Sequence, residues 1–298
     1  MSLRVIVFPI LAVLIWAGNA IVTKVAAHSI HPSLIAFDRW LLALVLLTPV
    51  LLPRAWRDRH VIRRYLPQLA MLSLLGMTLY QGLAYYAAET TSATNMGIFF
   101  ALVPLLTIVL GSLLLRERPS ATVIVGGVLS FAGILLILGR GEPTAIVSHG
   151  IGHGDSLMLA ACLSYAAYGV LLRRWSLPLP VWTSLYVQVC FAVLFLLPGY
   201  LLAPASPMTP TNLLIVAYAG VPASIAAPAL WMRAIERLGP GRTSIFINLV
   251  PIITALIAAG FLHEALQPYH WLGGGLTIGG IILAQSGGML RHPRRARR

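Results

Sequence analysis

The sequence predicts an all-α membrane protein whose ten transmembrane helices form two inverted five-helix repeats. Three observations predict it: the composition, ten apolar stretches of bilayer length, and a self-match at a fixed offset. Of 298 residues, 58% are hydrophobic and only 10% charged, and the mean hydropathy is +0.86. A soluble domain carries about 25% charge, so too little polar side chain is present to cover a water-facing surface. A soluble globular domain, a disordered chain and a nucleic-acid-binding module are excluded on that ground. Collagen and coiled coil lack their repeats here.

A helix crossing a bilayer needs about 20 mostly apolar residues. Such stretches fall at 5–27, 33–53, 66–88, 94–115, 121–139, 155–173, 181–203, 212–232, 241–262 and 269–290. The connections are short and rich in Pro, Gly, Ser and charge. Arg4 precedes the first stretch in the manner of a signal peptide, but the apolar run continues past the usual h-region of about 7–15 residues, so it is read as a mature helix. The +13 charge is almost all arginine, Lys24 being the one lysine among 21 basic residues. Placed on the ten spans, Lys24, Arg39 and Arg140 fall on one side and the other 18 of the 21 on the opposite side. Basic residues gather in cytoplasmic loops, so both termini are expected in the cytoplasm of a bacterial inner membrane. The Arg-rich tail is then a topology anchor or lipid contact, with no nucleic acid as partner. Cys162 and Cys190 lie in apolar runs and read as small buried hydrophobes.

Shifted by 147 positions, segment 83–141 lies on 230–288 without a gap. Glu89 meets Glu236, Leu102-Val103-Pro104 meets Leu249-Val250-Pro251, Glu117 meets Glu264, Gly126-Gly127 meets Gly273-Gly274, and Gly133 meets Gly280. Shared Pro, Glu and Gly at one offset are not explained by a common apolar composition. Earlier parts match more weakly at 149, where Trp16 meets Tyr165 and Asn19 meets Tyr168. The division is therefore a first five-helix repeat at 1–140, a periplasmic linker at 141–153, a second repeat at 154–290 and a basic cytoplasmic tail at 291–298. Because five is odd, the second copy enters the membrane from the opposite face. Inverted repeats of this kind build secondary transporters.

Leu14-Ile15-Trp16-Ala17-Gly18-Asn19, followed by Lys24, Pro32 and Arg39, resembles the first-helix signature of the drug/metabolite transporter superfamily, EamA branch. Phe100 to Gly133, with Val103-Pro104-Leu105-Leu106, Arg116-Glu117-Arg118-Pro119 and Gly126-Gly127, resembles that branch's other signature. The resemblance covers nearly the whole chain. It implies ten helices, a central cavity between two halves, and the export or import of small metabolites including amino acids. Among the subgroups, the aromatic amino acid exporters look nearest. Two departures are visible: Leu266 replaces the Pro that follows the first glutamate, and Gln188 stands where Arg39 would repeat.

Polar residues at membrane depth must face protein or water. Trp16, Asn19 and Thr23 share a helix face, as do Tyr165 with Tyr168, and Ser244 with Asn248 and Pro251. Tyr80, Gln81 and Tyr85 share a broader one. These faces are expected to converge on one mid-membrane cavity. The alternatives are interhelical hydrogen bonds without a ligand, at about 0.6 kcal/mol each, and, for the aromatic residues, the interfacial belt. Pro104 and Pro251 each lack an N–H and clash with the carbonyl four residues back, predicting a kink or hinge in each half. Gly275 with Gly279, and Gly126 with Ser130, make small-residue packing faces. Arg39 is open to three readings: a pair with Asp38, snorkelling to the interface, or contact with a substrate carboxylate. Glu89, Glu117, Glu236 and Glu264 read as cap or interface residues.

His149, His153 and Asp155 fit no standard metal spacing, and no hydrolase, zinc-protease or nucleotide-loop motif occurs. No catalysis, cofactor or metal is expected. The expectation is a monomeric secondary transporter, in contact with membrane lipids, that exports amino acids or related metabolites by alternating access. A drug, nucleoside or other metabolite carrier is the alternative of the same class; an intramembrane enzyme or sensor subunit is the alternative from another.

Overall fold

Apolar sequence at bilayer length makes helix the only local structure that satisfies its own backbone, and the described residues contain helices and no strand. The structure, a computed structural model, describes residues 3–26, 29–91, 93–116, 118–142, 152–207, 209–253, 256 and 267–286. Its helices are α1 (Leu3–Ala26), α2 (Pro32–Arg57), α3 (Arg59–Arg64), α4 (Leu66–Ser73), α5 (Tyr80–Thr90), α6 (Ala93–Ala101) and α7 (Val103–Leu114). The second part of the chain supplies α8 (Ala121–Leu138), α9 (His153–Trp175), α10 (Val181–Leu202), α11 (Pro210–Gly220), α12 (Ala227–Leu238), α13 (Pro240–Ser244) and α14 (Pro268–Ser286). Among the described residues, six stretches are long and apolar enough to cross a membrane: Val5–Thr23, Pro32–Arg57, Ala121–Leu138, His153–Trp175, Val181–Leu202 and Pro210–Leu238. Leu113, Leu201, Leu214 and Ile282 stand exposed on the outside of the bundle, as side chains facing lipid do. The protein is therefore multi-pass and membrane-embedded.

Helix starts follow from local chemistry. Proline at the first turn costs nothing, because its missing N–H would be unpaired there. Pro32 opens α2, where His31 Nδ1 accepts from the Ser33 N–H at 3.3 Å. Pro210 opens α11, where Thr209 Oγ1 accepts from the Asn212 N–H at 3.2 Å. Asp155 caps α9, accepting from the Gly152 N–H at 2.9 Å and from the Thr91 hydroxyl. This carboxylate is a helix cap that ties α9 to the end of α5.

Two helices are interrupted by π turns, Leu74–Leu79 between α4 and α5 and Pro222–Ala226 between α11 and α12. In the second, Pro222 lacks an N–H, and the Ser224 hydroxyl donates to the Ala219 carbonyl at 2.7 Å. A further break falls at Leu102, between α6 and α7. Pro104 therefore sits in the first turn of a new helix rather than inside a kinked one. A 3₁₀ stretch, Ile245–Asn248, precedes Pro251. Residues 117, 143–151, 254–255, 257–266 and 287–298 lie outside the described set, and with them Glu117, His149, Glu264 and the tail 291–298.

Contacts group the helix ends into two sets. At one, Arg173 donates to the Glu236 carbonyl at 2.8 Å, Thr183 donates to Asp58 at 3.4 Å, and Arg233 lies 5.7 Å from the Trp182 ring. At the other, the His31 N–H donates to Ser206 at 3.0 Å, Asn212 donates to the Ser29 carbonyl at 3.3 Å, and Thr91 meets Asp155. The first end carries Arg57, Arg59, Arg173, Arg174, Arg233 and Arg237.

The closest helix crossing joins α8 to α14. A Cβ on Gly126 would lie 2.5 Å from the Gly280 carbonyl, and one on Gly133 2.5 Å from the Gly273 carbonyl. The helices run antiparallel, and between these two contacts the Thr277 hydroxyl donates to the Gly273 carbonyl of its own helix at 2.8 Å, with the Ser130 carbonyl a second acceptor at 3.3 Å. The packing face on α14 is thus Gly273, Thr277 and Gly280. The face expected at Gly275 and Gly279 is not packed: nothing lies within 4 Å of a Cβ built at either. Small residues stand on several sides of α14, and the stripe that faces α8 wins by burying against it.

Candidate functional site

Two buried groupings and a third polar node arise where the interrupted helices meet. The first is aromatic. Trp16 of α1 lies 5.0 Å from Trp231 and 6.1 Å from Tyr165, and Tyr165 lies 4.5 Å from Tyr80 and 5.9 Å from Tyr168. Phe100 stacks with Tyr80 at 6.2 Å. Trp16 Nε1 donates to the Ala223 carbonyl in the second π turn at 3.4 Å. Tyr168 lies against the first π turn, where a Cβ on Gly76 would come within 2.6 Å of its ring. Each π turn thus receives an aromatic residue from a helix of the other part of the chain.

The second grouping surrounds Arg39, which is 1% exposed. Its Nε donates to Ser224 Oγ at 2.8 Å, and Nη1 donates to Gln81 Oε1 and to Tyr85 OH, both at 3.0 Å. The guanidinium carbon stands 5.4 Å from the Trp40 ring. The geometry matches neither snorkelling nor a pair with Asp38, since the side chain is buried and all three acceptors are neutral. The groupings are joined along the chain: Tyr80 precedes Gln81, and Ala223 precedes Ser224.

The third node is Asn248, fully buried, whose Nδ2 donates to Ser130 Oγ at 3.0 Å while Oδ1 has no partner. Asn248 thus bonds across to α8, beside the Gly crossing. Ser244, expected beside it, donates to the Gly241 carbonyl of its own turn at 3.0 Å. Asn19 Nδ2 donates to Thr23 Oγ1 at 3.3 Å, and its Oδ1 is buried without a partner. The Tyr165 hydroxyl, also buried, has none either.

The proposed residues therefore gather in more than one place: Trp16, Tyr80, Tyr165 and Tyr168 in the ring cluster, Gln81 and Tyr85 with Arg39, and Asn248 with Ser130. Trp231, Ser224, Ser130 and Phe100 join these groupings without having been expected from the sequence. Trp231 lies where the self-match pairs it with Ala84, so the repeat carried no hint of it. Ser130 was expected only as a packing residue beside Gly126; the same offset aligns it with Thr277.

Comparison with known proteins decides the family. The profile of the EamA-like transporter family matches residues 3–139 and again 152–285. The chain belongs to the EamA-like transporter family. An uncharacterized transporter of Archaeoglobus fulgidus is 29% identical over 279 residues, covering 92% of this chain and 94% of its own. A probable terminal-alkyne amino-acid exporter of Streptantibioticus cattleyicolor is 25% identical, covering 92% of this chain and 91% of its own. The uncharacterized inner membrane transporter YedA of Escherichia coli K12 is 24% identical, covering 92% and 88%. A solved crystal structure at 19% identity superposes with a TM-score of 0.76 over 96% of this chain and 98% of its own, which shows a shared fold. This EamA-family protein is a transporter of the drug/metabolite type.

Proposed function

We propose that this protein is a secondary transporter that exports amino acids, aromatic and other neutral ones among them, or related small metabolites, by alternating access. The observation that carries the proposal is the exchange of aromatic residues between the two parts of the chain at their π turns. It supports a solute site at the seam, among Trp16, Asn19, Tyr80, Tyr165 and Tyr168. Ring walls with few formal charges suit a neutral or zwitterionic solute, where a phosphate ester would want a cluster of cations. A relative named as a probable amino-acid exporter agrees with that choice.

Alternating access needs two halves that exchange shapes, and we read the chain as ten spans in two inverted repeats. The family profile matches twice, at 3–139 and 152–285. The π turn Pro222–Ala226 falls 147 positions after 75–79. The crossing contacts are images of each other under the same offset, Gly126 on Gly280 and Gly133 on Gly273, with Ser130 on Thr277 between them. A two-fold that swaps antiparallel helices lies across their axes, hence in the plane of the membrane. The Arg-rich end is read as cytoplasmic, with both chain termini on that side of a bacterial inner membrane.

Proteoliposomes containing the protein should take up labelled neutral amino acid, and Trp16→Ala or Asn19→Ala should reduce the rate. Normal flux in both variants would remove this site, and a substrate panel that favoured nucleosides or drugs would replace the substrate class.

A further inference from the structure

We propose that Arg39 is the anchor for a carboxylate of the transported solute, and that Gln81, Tyr85 and Ser224 hold the guanidinium when no solute is present. This rests on the transport reading above and names the chemistry that its substrate must carry.

A guanidinium taken out of water is costly unless it is paired and hydrogen-bonded. Arg39 is 1% exposed and bonds to three neutral acceptors. None of its partners is a carboxylate, so the positive charge is solvated by dipoles and not neutralised. Of five N–H groups, three are used, one on Nε and two on Nη1, and Nη2 donates to nothing. Guanidinium and carboxylate fit edge to edge through two parallel N–H···O bonds. Either edge that includes Nη2 is completed by displacing one neutral acceptor, Ser224 on the Nε side or a partner of Nη1 on the other. A carboxylate thus gains a fork that is already aimed and half vacant.

The surroundings say what else that solute carries. Gln81 follows Tyr80, and Ser224 follows Ala223, the acceptor of Trp16. A carboxylate on Arg39 leaves the rest of a small solute against the rings of Tyr80 and Trp16. Tyr85 also forms the wall between Arg39 and a cavity of about 10 Å³ at the end of the bundle where α1 stops, lined also by Ile30, Ile35 and Glu89. That volume is about one water. Releasing Tyr85 frees a donor of Arg39 and moves the wall in one step. The offset of 149 places Gln188 at the matching position of the second repeat, so one half alone carries the charge. The solute is then held in one orientation.

The test is a competition panel in proteoliposomes, with a parallel binding measurement by thermal shift in detergent. The panel holds a neutral amino acid, its deaminated acid, its decarboxylated amine and its methyl ester. Both compounds with a carboxylate should compete at least about tenfold better than the amine or ester, because a site built to bond one group rejects analogues lacking it. The same two should raise the melting temperature, and Arg39→Gln should abolish both preferences. Equal competition by the amine and ester overturns the proposal while leaving transport standing. Discrimination that survives in Arg39→Gln also overturns it. Absent flux for every compound sinks the transport reading; the thermal shift then still decides, since carboxylate-blind or absent stabilisation of the wild-type protein overturns the anchor.

Discussion

Replacing Gly126 by alanine inverts the usual effect of removing a helical glycine. Inside a helix, Gly→Ala gains up to about 1 kcal/mol, because alanine has the higher helix propensity. At Gly126 the new Cβ would stand 2.5 Å from the Gly280 carbonyl oxygen, 2.6 Å from the Ala284 nitrogen and 2.9 Å from the Ala284 Cβ. Ordinary contact begins at 3.4 Å, so α14 must retreat by roughly 0.8–0.9 Å. Two of the three obstructing atoms are backbone, and no rotamer change relieves them. Overpacking costs about 1–3 kcal/mol, and retreat at Gly126 also loosens Gly133 on Gly273 one helical stretch away. The net loss is then up to about 2 kcal/mol after the propensity gain is subtracted. Gly275→Ala is the control, since nothing lies within 4 Å of its Cβ and only the gain remains. Melting temperatures of the two purified variants in one detergent should move in opposite directions from wild type. If Gly126→Ala melts at or above wild type, the account of the crossing is wrong.

Other perturbations act at single contacts. Gly76→Ala drives a Cβ to within 2.6 Å of the Tyr168 ring; displacing that ring should raise the transport KM several-fold with a smaller change in melting temperature. Asp155→Ala removes the cap of α9 and the Thr91 contact, and should cost about 1–2 kcal/mol in thermal unfolding. Thr277→Val keeps the shape of the crossing but removes the hydroxyl shared between the Gly273 and Ser130 carbonyls, for a loss of about 0.6 kcal/mol. A drop as large as that of Gly126→Ala would show the hydrogen bond, not the close approach, to hold the crossing.

Helix positions were legible because their signals are local. Pro32, Thr209 with Pro210, and apolar runs of bilayer length each mark a boundary without reference to the rest of the chain. What sequence periodicity misplaced lies beyond the interruptions. A π turn holds an extra residue and shifts the following side chains around the helix, so a face counted at 3.6 residues per turn does not carry through Leu74–Leu79 or Pro222–Ala226. Ser224 sits inside such a turn and Trp231 just after it, and both were passed over. The glycines show the opposite lesson. Helical spacing marked Gly126 with Ser130 and Gly275 with Gly279 as packing faces, and only the first is packed; the self-match aligns Gly126 with Gly273 and Gly133 with Gly280, whereas the contacts cross, Gly126 on Gly280 and Gly133 on Gly273.

The placement of the interruptions bears on how the proposed exchange of shapes proceeds. The break at Leu102 and the end of the 3₁₀ stretch at Asn248 fall at matching points of the two parts, each just ahead of a proline, Pro104 and Pro251. The π turns match in the same way. Such stretches lack part of the regular i→i−4 ladder, so bending there breaks fewer bonds than bending an intact helix. The α8–α14 crossing is the reverse case, with backbone against backbone and no slack for sliding. In the proposed exchange, motion is expected to concentrate where Trp16, Tyr168 and Arg39 attach, with the crossing as the fixed frame. A disulfide engineered across α8 and α14 should leave flux intact. One that joins α1 to the second π turn should stop it, and equal loss from both would place the moving parts elsewhere.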